Sequence, residues 1–267
     1  MDLAIIGLGN MGQAILDGIL ENNITAVENI IAADQKFSYE SFQEKNKYPE
    51  LNFTSDNAEA VNKSDLIILA VKPQIIDIVL EDIKDEAAAK NIISIAAGIT
   101  VEHIRSIIGD KCRITRIMPN TPALVSEGIS AISFADNIDK KGKEMVSKIF
   151  SSLGKVVEVK EKYMDAVTAL SGSGPAFVYI FIEALSDAGV LQGLNRDIAL
   201  KLAAQTVKGG AEMVLETNRH PAELKDMVTS PAGTTINGVA ALEKDSFRSA
   251  VIRAVSAAAA RSEELGG

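Results

Sequence analysis

The sequence contains few of the residues that several classes of protein need. Among 267 residues it has one cysteine, Cys112, and two histidines, His103 and His220, too few for an internal disulfide or a zinc site of several thiolates or imidazoles. With no tryptophan and 4% aromatic residues, it has little material for stacking bases. The formal net charge of −9 also disfavours nucleic-acid binding, which requires clustered lysine and arginine. We expect no metal site and no nucleic-acid partner.

Long apolar runs and a leader segment are also missing from the sequence pattern. No apolar run approaches the ~20 residues that span a bilayer. Met1-Asp2-Leu3 leads directly into a strand pattern, without the basic and apolar regions of a signal peptide. The composition, 47% hydrophobic and 24% charged, is that of a globular protein. These observations predict a cytoplasmic protein with no membrane partner.

Short β-branched runs alternate with amphipathic helical patterns up to about residue 160. Helices are predicted at 11–22, 38–46 and 74–84. Continuous apolar runs are typical of strands covered on both faces. They predict strands at Leu3–Ile6, Ile30–Ala33, Leu66–Val71, Ile92–Ile95 and Arg113–Ile117, with two more at 128–135 and 155–159. The alternation predicts a parallel, doubly wound α/β sheet of Rossmann type with right-handed crossovers.

Beyond 160–162, alanine- and leucine-rich stretches replace the strand pattern. We therefore predict a Rossmann-type domain over 1–161 and an all-helical domain over 162–267. Asn195 and Pro221 are placed to start helices. The segment 175–194 is apolar around most of its circumference, so it must be buried on nearly every side. It is either a central core helix or a helix that packs against the same helices of another subunit. The predicted helices are 163–190, 196–217, 221–228, 234–243 and 246–264.

Gly7, Gly9 and Gly12 form the spacing GxGxxG between the first strand and the first helix. There they allow a sharp turn, approach of the main chain to a pyrophosphate, and close packing of helix on strand. Asp34 ends the second strand, where an acid binds the adenosine ribose hydroxyls and favours NAD; the alternative is that it only caps the next helix. Lys36 is close enough to attract a 2′-phosphate. The residues therefore leave the choice between NADH and NADPH open.

Two later strands end in small residues, at 70–73 and 96–98. Ligands collect beyond the carboxyl ends of parallel strands, so a nicotinamide ring would fit there. In the second half, turn-rich segments at 169–177 and 225–243 each precede a helix. The free N–H groups after Ser230 would hold a carboxylate. The alternative for both segments is that glycine, proline and serine only separate helices.

Six motifs together resemble one known family. In chain order they are IGLGNMGQAI, AVKPQ, SIAAGIT, RIMPNTPA, ALSGSGPAFVY and HPAELKDMVTSPAGTTINGVAALE. Along essentially its whole length the sequence resembles the pyrroline-5-carboxylate reductases. The resemblance implies NAD(P)H-dependent reduction of the C=N bond of 1-pyrroline-5-carboxylate to give L-proline, the last step of proline biosynthesis. It also implies a Rossmann domain, a helical dimerisation domain, and a homodimer that is often assembled into a larger ring of dimers.

The resemblance further implies roles for individual residues. The substrate carboxylate would lie on the turn formed by Ser230, Gly233, Thr234 and Thr235, with the Thr235 hydroxyl as the catalytic group near the ring nitrogen. This pocket would form where the helical domains of two subunits meet the cofactor. The cofactor, NADPH or NADH, would be bound by Gly7, Leu8, Gly9, Asn10, Met11, Asn57, Ala70, Val71, Lys72, Pro73, Ala97 and Gly98, together with Asp34.

The sequence shows no evident pair of catalytic acid and base. Imine reduction tolerates this, because a protonated C=N bond is already electrophilic and must mainly be oriented and kept from water. Two other functions stay open on the residues alone. One is a dehydrogenase of small hydroxy acids, for which Lys225 is the one lysine of the helical half beside the glycine-rich turn. The other is a nucleotide-binding protein without catalysis.

Overall fold

A computed structural model describes residues 2–37, 41–42 and 47–266 of the chain. Contacts divide the chain into two compact units. The first unit comprises Met1–Ser173 and Ala258–Gly267, and the second comprises Gly174–Ala257.

The first unit is built on an eight-stranded sheet with the strand order β3-β2-β1-β4-β5-β6-β7-β8. The six strands from β3 to β6 in that order are parallel, and the order reverses between β1 and β4. This is the arrangement of a Rossmann-type sheet, as predicted. The strands are β1 (Leu3–Ile6), β2 (Ile30–Ala33), β3 (Asn52–Thr54), β4 (Leu66–Leu69), β5 (Asn91–Ser94), β6 (Arg113–Met118), β7 (Gly128–Phe134) and β8 (Gly154–Glu158).

Helices cover both faces of this sheet, which explains the uninterrupted apolar runs. Along β1, Leu3 and Ile5 belong to one buried cluster, whereas Ala4 and Ile6 belong to a second. Successive side chains of a strand point to opposite faces, so both faces need apolar residues. The helices are α1 (Asn10–Glu21), α2 (Asn57–Asn62), α3 (Ile76–Ile83), α4 (Val101–Ile108) and α5 (Lys140–Ser151), followed by the short α6 (Met164–Val167).

Two features of the sheet differ from the prediction. β7 runs antiparallel to β6, because the link 119–127 is shorter than the dozen or so residues of a parallel crossover. α5 then provides a full crossover, and β8 is parallel to β7. The edge strand β3 has three residues and no apolar run, so its pattern carried no signal. Of the helix predicted at 38–46, only 41–42 lie within the described residues, and both are helical.

The described elements after β8 are all helices, as predicted, and they are joined by short turns. The Asn195 side chain accepts the Ile198 N–H at 2.9 Å and caps α8, and Pro221 is the first residue of α9. The elements are α7 (Gly174–Leu191), α8 (Arg196–Thr217), α9 (Pro221–Met227), α10 (Thr234–Lys244) and α11 (Phe247–Gly266).

The segment predicted as a turn at 169–177 is instead part of a continuous helix. Thr168–Gly172 forms a π turn, in which the Ser173 N–H donates to the Thr168 carbonyl at 2.8 Å. The wider turn accommodates one extra residue without ending the helix. A Cβ at Gly172 would lie 2.9 Å from Met118 Cε, the end of a flexible side chain on β6.

α7 exposes a large apolar surface in the single chain. Tyr179 is 58% exposed and Ile180 65% exposed, and Ser186 is the one buried residue of α7. The helix is therefore not the core helix of one chain. An 18-residue stretch within the continuous helix Glu161–Leu191 has a mean hydropathy of 1.4, so by length and composition alone the helix could cross a membrane. This face requires a cover that a single chain does not supply.

Candidate cofactor and substrate sites

A cleft of about 320 Å³ lies at the carboxyl ends of β1, β2 and β4. The strand order reverses at this point, and ligands of such sheets bind there. Clefts of about 410 and 380 Å³ open at the opposite edge of the sheet, at the amino ends of its strands, away from the glycine loop. The cleft of interest is lined by Ile6, Gly7, Leu8, Gly9, Asp34, Gln35, Lys36, Phe37, Asn57, Ala70, Val71, Lys72, Ile75 and Val79.

The three glycines of the loop are needed for three different reasons. Gly7 has a φ of +95°, and a Cβ there would lie 2.7 Å from the Ala70 carbonyl oxygen. A Cβ at Gly12 would lie 2.0 Å from the Gly7 carbonyl oxygen, so the helix could not pack this close to the loop. Gly9 is extended, and a Cβ there would meet no atom within 4 Å. Its missing side chain therefore leaves space for a ligand.

The start of α1 is open to an anion. Gly9 is the N-cap residue, and no described side chain caps this helix. The Gln13 N–H is the first to bond within the helix, donating to the Gly9 carbonyl at 2.9 Å. The preceding N–H groups and the positive end of the helix dipole are then available to a phosphate.

Asp34 fastens the glycine loop to the end of β2. One carboxylate oxygen accepts the Leu8 N–H at 2.9 Å, and the other accepts the Lys36 N–H at 2.9 Å. The Gly7 N–H donates to the Ala33 carbonyl at 2.8 Å on the same side. Asp34 thus does more than cap a following element. It lines the cleft and also holds the main chain of the glycine loop in place through Leu8.

Asn57 places an unsatisfied acceptor in the cleft. The residue is 2% exposed, and its Nδ2 donates to Asp82 at 3.0 Å. Its Oδ1 is buried and has no donor among the described residues. Buried acceptors are normally hydrogen-bonded, so a ligand hydroxyl or amide in the cleft would satisfy this atom. Three features therefore fit the cleft to a dinucleotide: the unsatisfied Asn57 oxygen, the open space at Gly9 and the uncapped start of α1.

The other predicted cofactor residues lie near the cleft but outside its lining. Asn10 and Met11 form the first turn of α1, and Pro73 begins a short 3₁₀ turn after β4. Ala97 and Gly98 follow β5, the neighbour of β4, and Gly98 has a φ of +78°. The lining residues that the sequence reasoning missed are Ile6, Gln35, Phe37, Ile75 and Val79. The apolar ones among them resemble ordinary core positions, and Gln35 belongs to no motif.

The predicted substrate residues form one turn at the start of α10. Gly233 is the N-cap, its N–H donates to the Ser230 carbonyl at 3.1 Å, and no described side chain caps the helix. A Cβ at Gly233 would lie 2.3 Å from Ser230 Oγ, so the serine hydroxyl needs a glycine beside it. Thr234 and Thr235 are exposed in the single chain. The turn offers helix N–H groups and hydroxyls, which suit a carboxylate.

Lys225, the base required by a hydroxy-acid dehydrogenase, is engaged elsewhere. Its Nζ donates to Asp226 at 2.5 Å.

The cofactor residues belong to the first unit of the chain, and the turn from Ser230 to Thr235 belongs to the second.

Comparison with known proteins matches two parts of the chain to protein families. Residues 161–265 match a family described as pyrroline-5-carboxylate reductase dimerisation, and residues 2–98 match one described as NADP oxidoreductase, coenzyme F420-dependent. Curated pyrroline-5-carboxylate reductases of Synechocystis and Methanosarcina acetivorans are 48% and 46% identical. The first alignment covers 100% of this chain and 98% of its relative, and the second 99% and 97%.

Solved structures agree. The pyrroline carboxylate reductase of Plasmodium falciparum, with NADP bound, has a TM-score of 0.90 at 40% identity, covering 100% of this chain and 98% of that one. The reductase of Coxiella burnetii has a TM-score of 0.91 at 34% identity, with the same coverage. The chain belongs to the pyrroline-5-carboxylate reductase family of NAD(P)-dependent oxidoreductases.

Proposed function

We propose that the chain reduces the C=N bond of 1-pyrroline-5-carboxylate to give L-proline, with NADH or NADPH as the reductant. The observation that carries the proposal is the identity of 48% over 266 residues with a pyrroline-5-carboxylate reductase. The cleft supports it independently, since its open glycine and its orphaned Asn57 oxygen fit a dinucleotide.

In this proposal the first unit binds and orients the cofactor. The N–H groups of Asn10 and Met11 hold the pyrophosphate, above the space that Gly9 leaves open. Ala70, Val71, Lys72 and Pro73 after β4, and Ala97 and Gly98 after β5, line the nicotinamide end. When bound, the reduced nicotinamide supplies a hydride. The small side chains let its ring lie flat against the backbone.

The second unit binds the substrate in this proposal. The carboxylate accepts hydrogen bonds from the N–H groups of Thr234 and Thr235 and from the Ser230 hydroxyl, beside Gly233 at the start of α10. The Thr235 hydroxyl holds the ring nitrogen, which carries the proton that makes the adjacent carbon electrophilic. Catalysis then rests on placement and on exclusion of water. This explains why the motifs contain no acid–base pair.

We also propose that two chains form a homodimer through the helical region, with assembly into a larger ring of dimers. The exposed apolar face of α7 and the match of 161–265 to a dimerisation family support this. We place the domain boundary at 161/162 and the enzyme in the cytoplasm. Dimer contacts would cover the apolar helix without a membrane partner, and the formal net charge of −9 disfavours nucleic acid as a partner.

One assay tests the function. Purified protein is mixed with 1-pyrroline-5-carboxylate and either NADH or NADPH, and loss of reduced-nicotinamide absorbance is followed together with proline formation. Turnover with proline as product supports the proposal. Normal cofactor binding without turnover would favour a nucleotide-binding protein without catalysis. Turnover of hydroxy or keto acids in place of the imine would favour the dehydrogenase.

A further inference from the structure

The carboxylate of Asp34 is fixed at the rim of the cleft. It directly follows β2, and its two oxygens accept the N–H groups of Leu8 and Lys36, each at 2.9 Å. These bonds come from both sides and hold the group in one orientation. Each carboxylate oxygen has a second lone pair. The group can therefore still accept a hydroxyl donor from a ligand in the cleft.

A second carboxylate lies behind the same end of the cleft. Asp82 accepts Asn57 Nδ2 at 3.0 Å and Gln35 Nε2 at 3.3 Å. Gln35 and Asn57 both line the cleft next to Asp34. The exposed Asp82 carboxylate thus lies next to two residues that line the end of the cleft beyond β2, outside the lining itself.

Positive charge at this end is sparse. The first arginine of the sequence is Arg105, so the entire region from β1 to β5 has none. Arginine is the side chain that binds a phosphate with two parallel hydrogen bonds, whereas lysine provides a single point charge. Lys36 lines the cleft, but its main chain is the group that Asp34 holds, and its side chain is exposed. The cationic residues of the cleft lining are Lys36 and Lys72, and only Lys36 belongs to the segment that follows β2.

We propose that Asp34, with Asp82 behind it, makes this protein select NADH over NADPH. The free adenosine ribose of NADH offers hydroxyl donors to the fixed Asp34 carboxylate. NADPH replaces one of these donors by a phosphate, which has only acceptor oxygens and a charge of about −2 beside the two carboxylates. This inference rests on the proposed function, because it assigns the adenosine end of a dinucleotide to the end of the cleft beyond β2.

The test measures binding apart from turnover. Dissociation constants of NADH and NADPH are measured by cofactor fluorescence. Those of ADP-ribose and its 2′-phosphate are measured by calorimetry, which isolates the adenosine end. We expect the unphosphorylated member of each pair to bind at least about tenfold more tightly, equivalent to about 1.4 kcal/mol. The ratio should shrink in high salt, because part of the repulsion is screened.

The variant Asp34→Asn removes the charge and keeps one acceptor oxygen. We expect the preference for NADH to fall to about twofold or less, mainly through tighter binding of NADPH. Asp82→Asn leaves the contacts of Asp34 in place and should lower the preference by a smaller factor, so it serves if Asp34→Asn does not fold. Glu28→Gln, an equal charge change at the exposed opposite end of β2, is the control and should leave the ratio unchanged.

The outcomes separate the inference from the proposed function. Two results would overturn the inference: equal or tighter binding of NADPH by the unaltered protein, or an unchanged ratio of the two dissociation constants in both aspartate variants. Turnover of the imine would still support the proposed function in either case. Failure of the folded protein to bind either cofactor would overturn both.

Discussion

Gly9 and Gly12 offer a direct test of how the glycine loop works, because the structure assigns them opposite roles. A Cβ at Gly12 would lie 2.0 Å from the Gly7 carbonyl oxygen, whereas a Cβ at Gly9 would meet nothing within 4 Å. We therefore predict that Gly12→Ala destabilises the fold, and that Gly9→Val leaves the fold intact but prevents cofactor binding.

The expected sizes follow from these distances. Relieving a 2.0 Å contact requires the backbone to move by more than 1 Å. Overpacking of this kind costs about 1–3 kcal/mol, which exceeds the gain of up to about 1 kcal/mol from replacing glycine within a helix. One kcal/mol shifts Tm by roughly 2–4 °C at this size, so Gly12→Ala should lower Tm by several degrees. Gly9→Val weakens the N-cap of α1, which destabilises the protein, but it also lowers the conformational entropy of the unfolded chain, which stabilises the protein. These two effects nearly cancel, so Tm should change by about 2 °C or less.

Cofactor binding gives the complementary result. A valine at Gly9 occupies the space above the free N–H groups of α1. Losing two hydrogen bonds to a charged phosphate, each about 1.5 kcal/mol, raises Kd by about 100-fold. Calorimetric Tm and fluorescence titration with NADH are the measurements. If Gly9→Val bound NADH as tightly as the unaltered protein, the glycines would serve the turn alone and the cleft would lose its role.

Three further predictions concern other parts of the molecule. Thr235→Ala should lower kcat by about 10–100-fold with unchanged cofactor Kd, and Thr235→Ser should restore much of it; unchanged turnover of the alanine variant in stopped-flow assays would remove Thr235 from the mechanism. Ile180→Lys, on the exposed face of α7, should lower the molar mass found by light scattering, whereas an unaltered mass would place the subunit interface elsewhere. Burial raises the pKa of the Cys112 thiol above 9.0, so the unfolded chain loses this proton first as pH rises. Stability measured by urea denaturation should therefore decline above about pH 9 more in the unaltered protein than in Cys112→Ala, and an equal decline in both would refute the assignment.

The sequence was most informative where burial is complete. The runs that became β1, β2 and β4 are apolar on both faces, and each was predicted to within two residues. β3 could not be found, because an edge strand of three half-exposed residues needs no apolar pattern. The direction of β7 depends on the length of the link that precedes it. The link 119–127 is too short for a parallel crossover, whereas the alternation of strands and helices favours parallel strands.

The site shows a similar division. Gly7, Gly9 and Asp34 could be predicted because their spacing reflects a local turn between a strand and a helix. Asp82 could not, since it reaches the cleft only through Gln35 and Asn57, whose side chains come from distant parts of the chain. The π turn at Thr168–Gly172 lies within the helix predicted at 163–190, but its serines and glycines are also typical of loops and do not reveal the wider turn. The approach of the Met118 side chain to Gly172 is visible only in the structure.

The double engagement of Asp34 also limits how this protein could evolve. The same carboxylate accepts the Leu8 and Lys36 N–H groups and lines the cleft. An asparagine supplies only one acceptor oxygen, and a serine cannot span the same gap. A change of residue at Asp34 would therefore need a compensating change in the glycine loop.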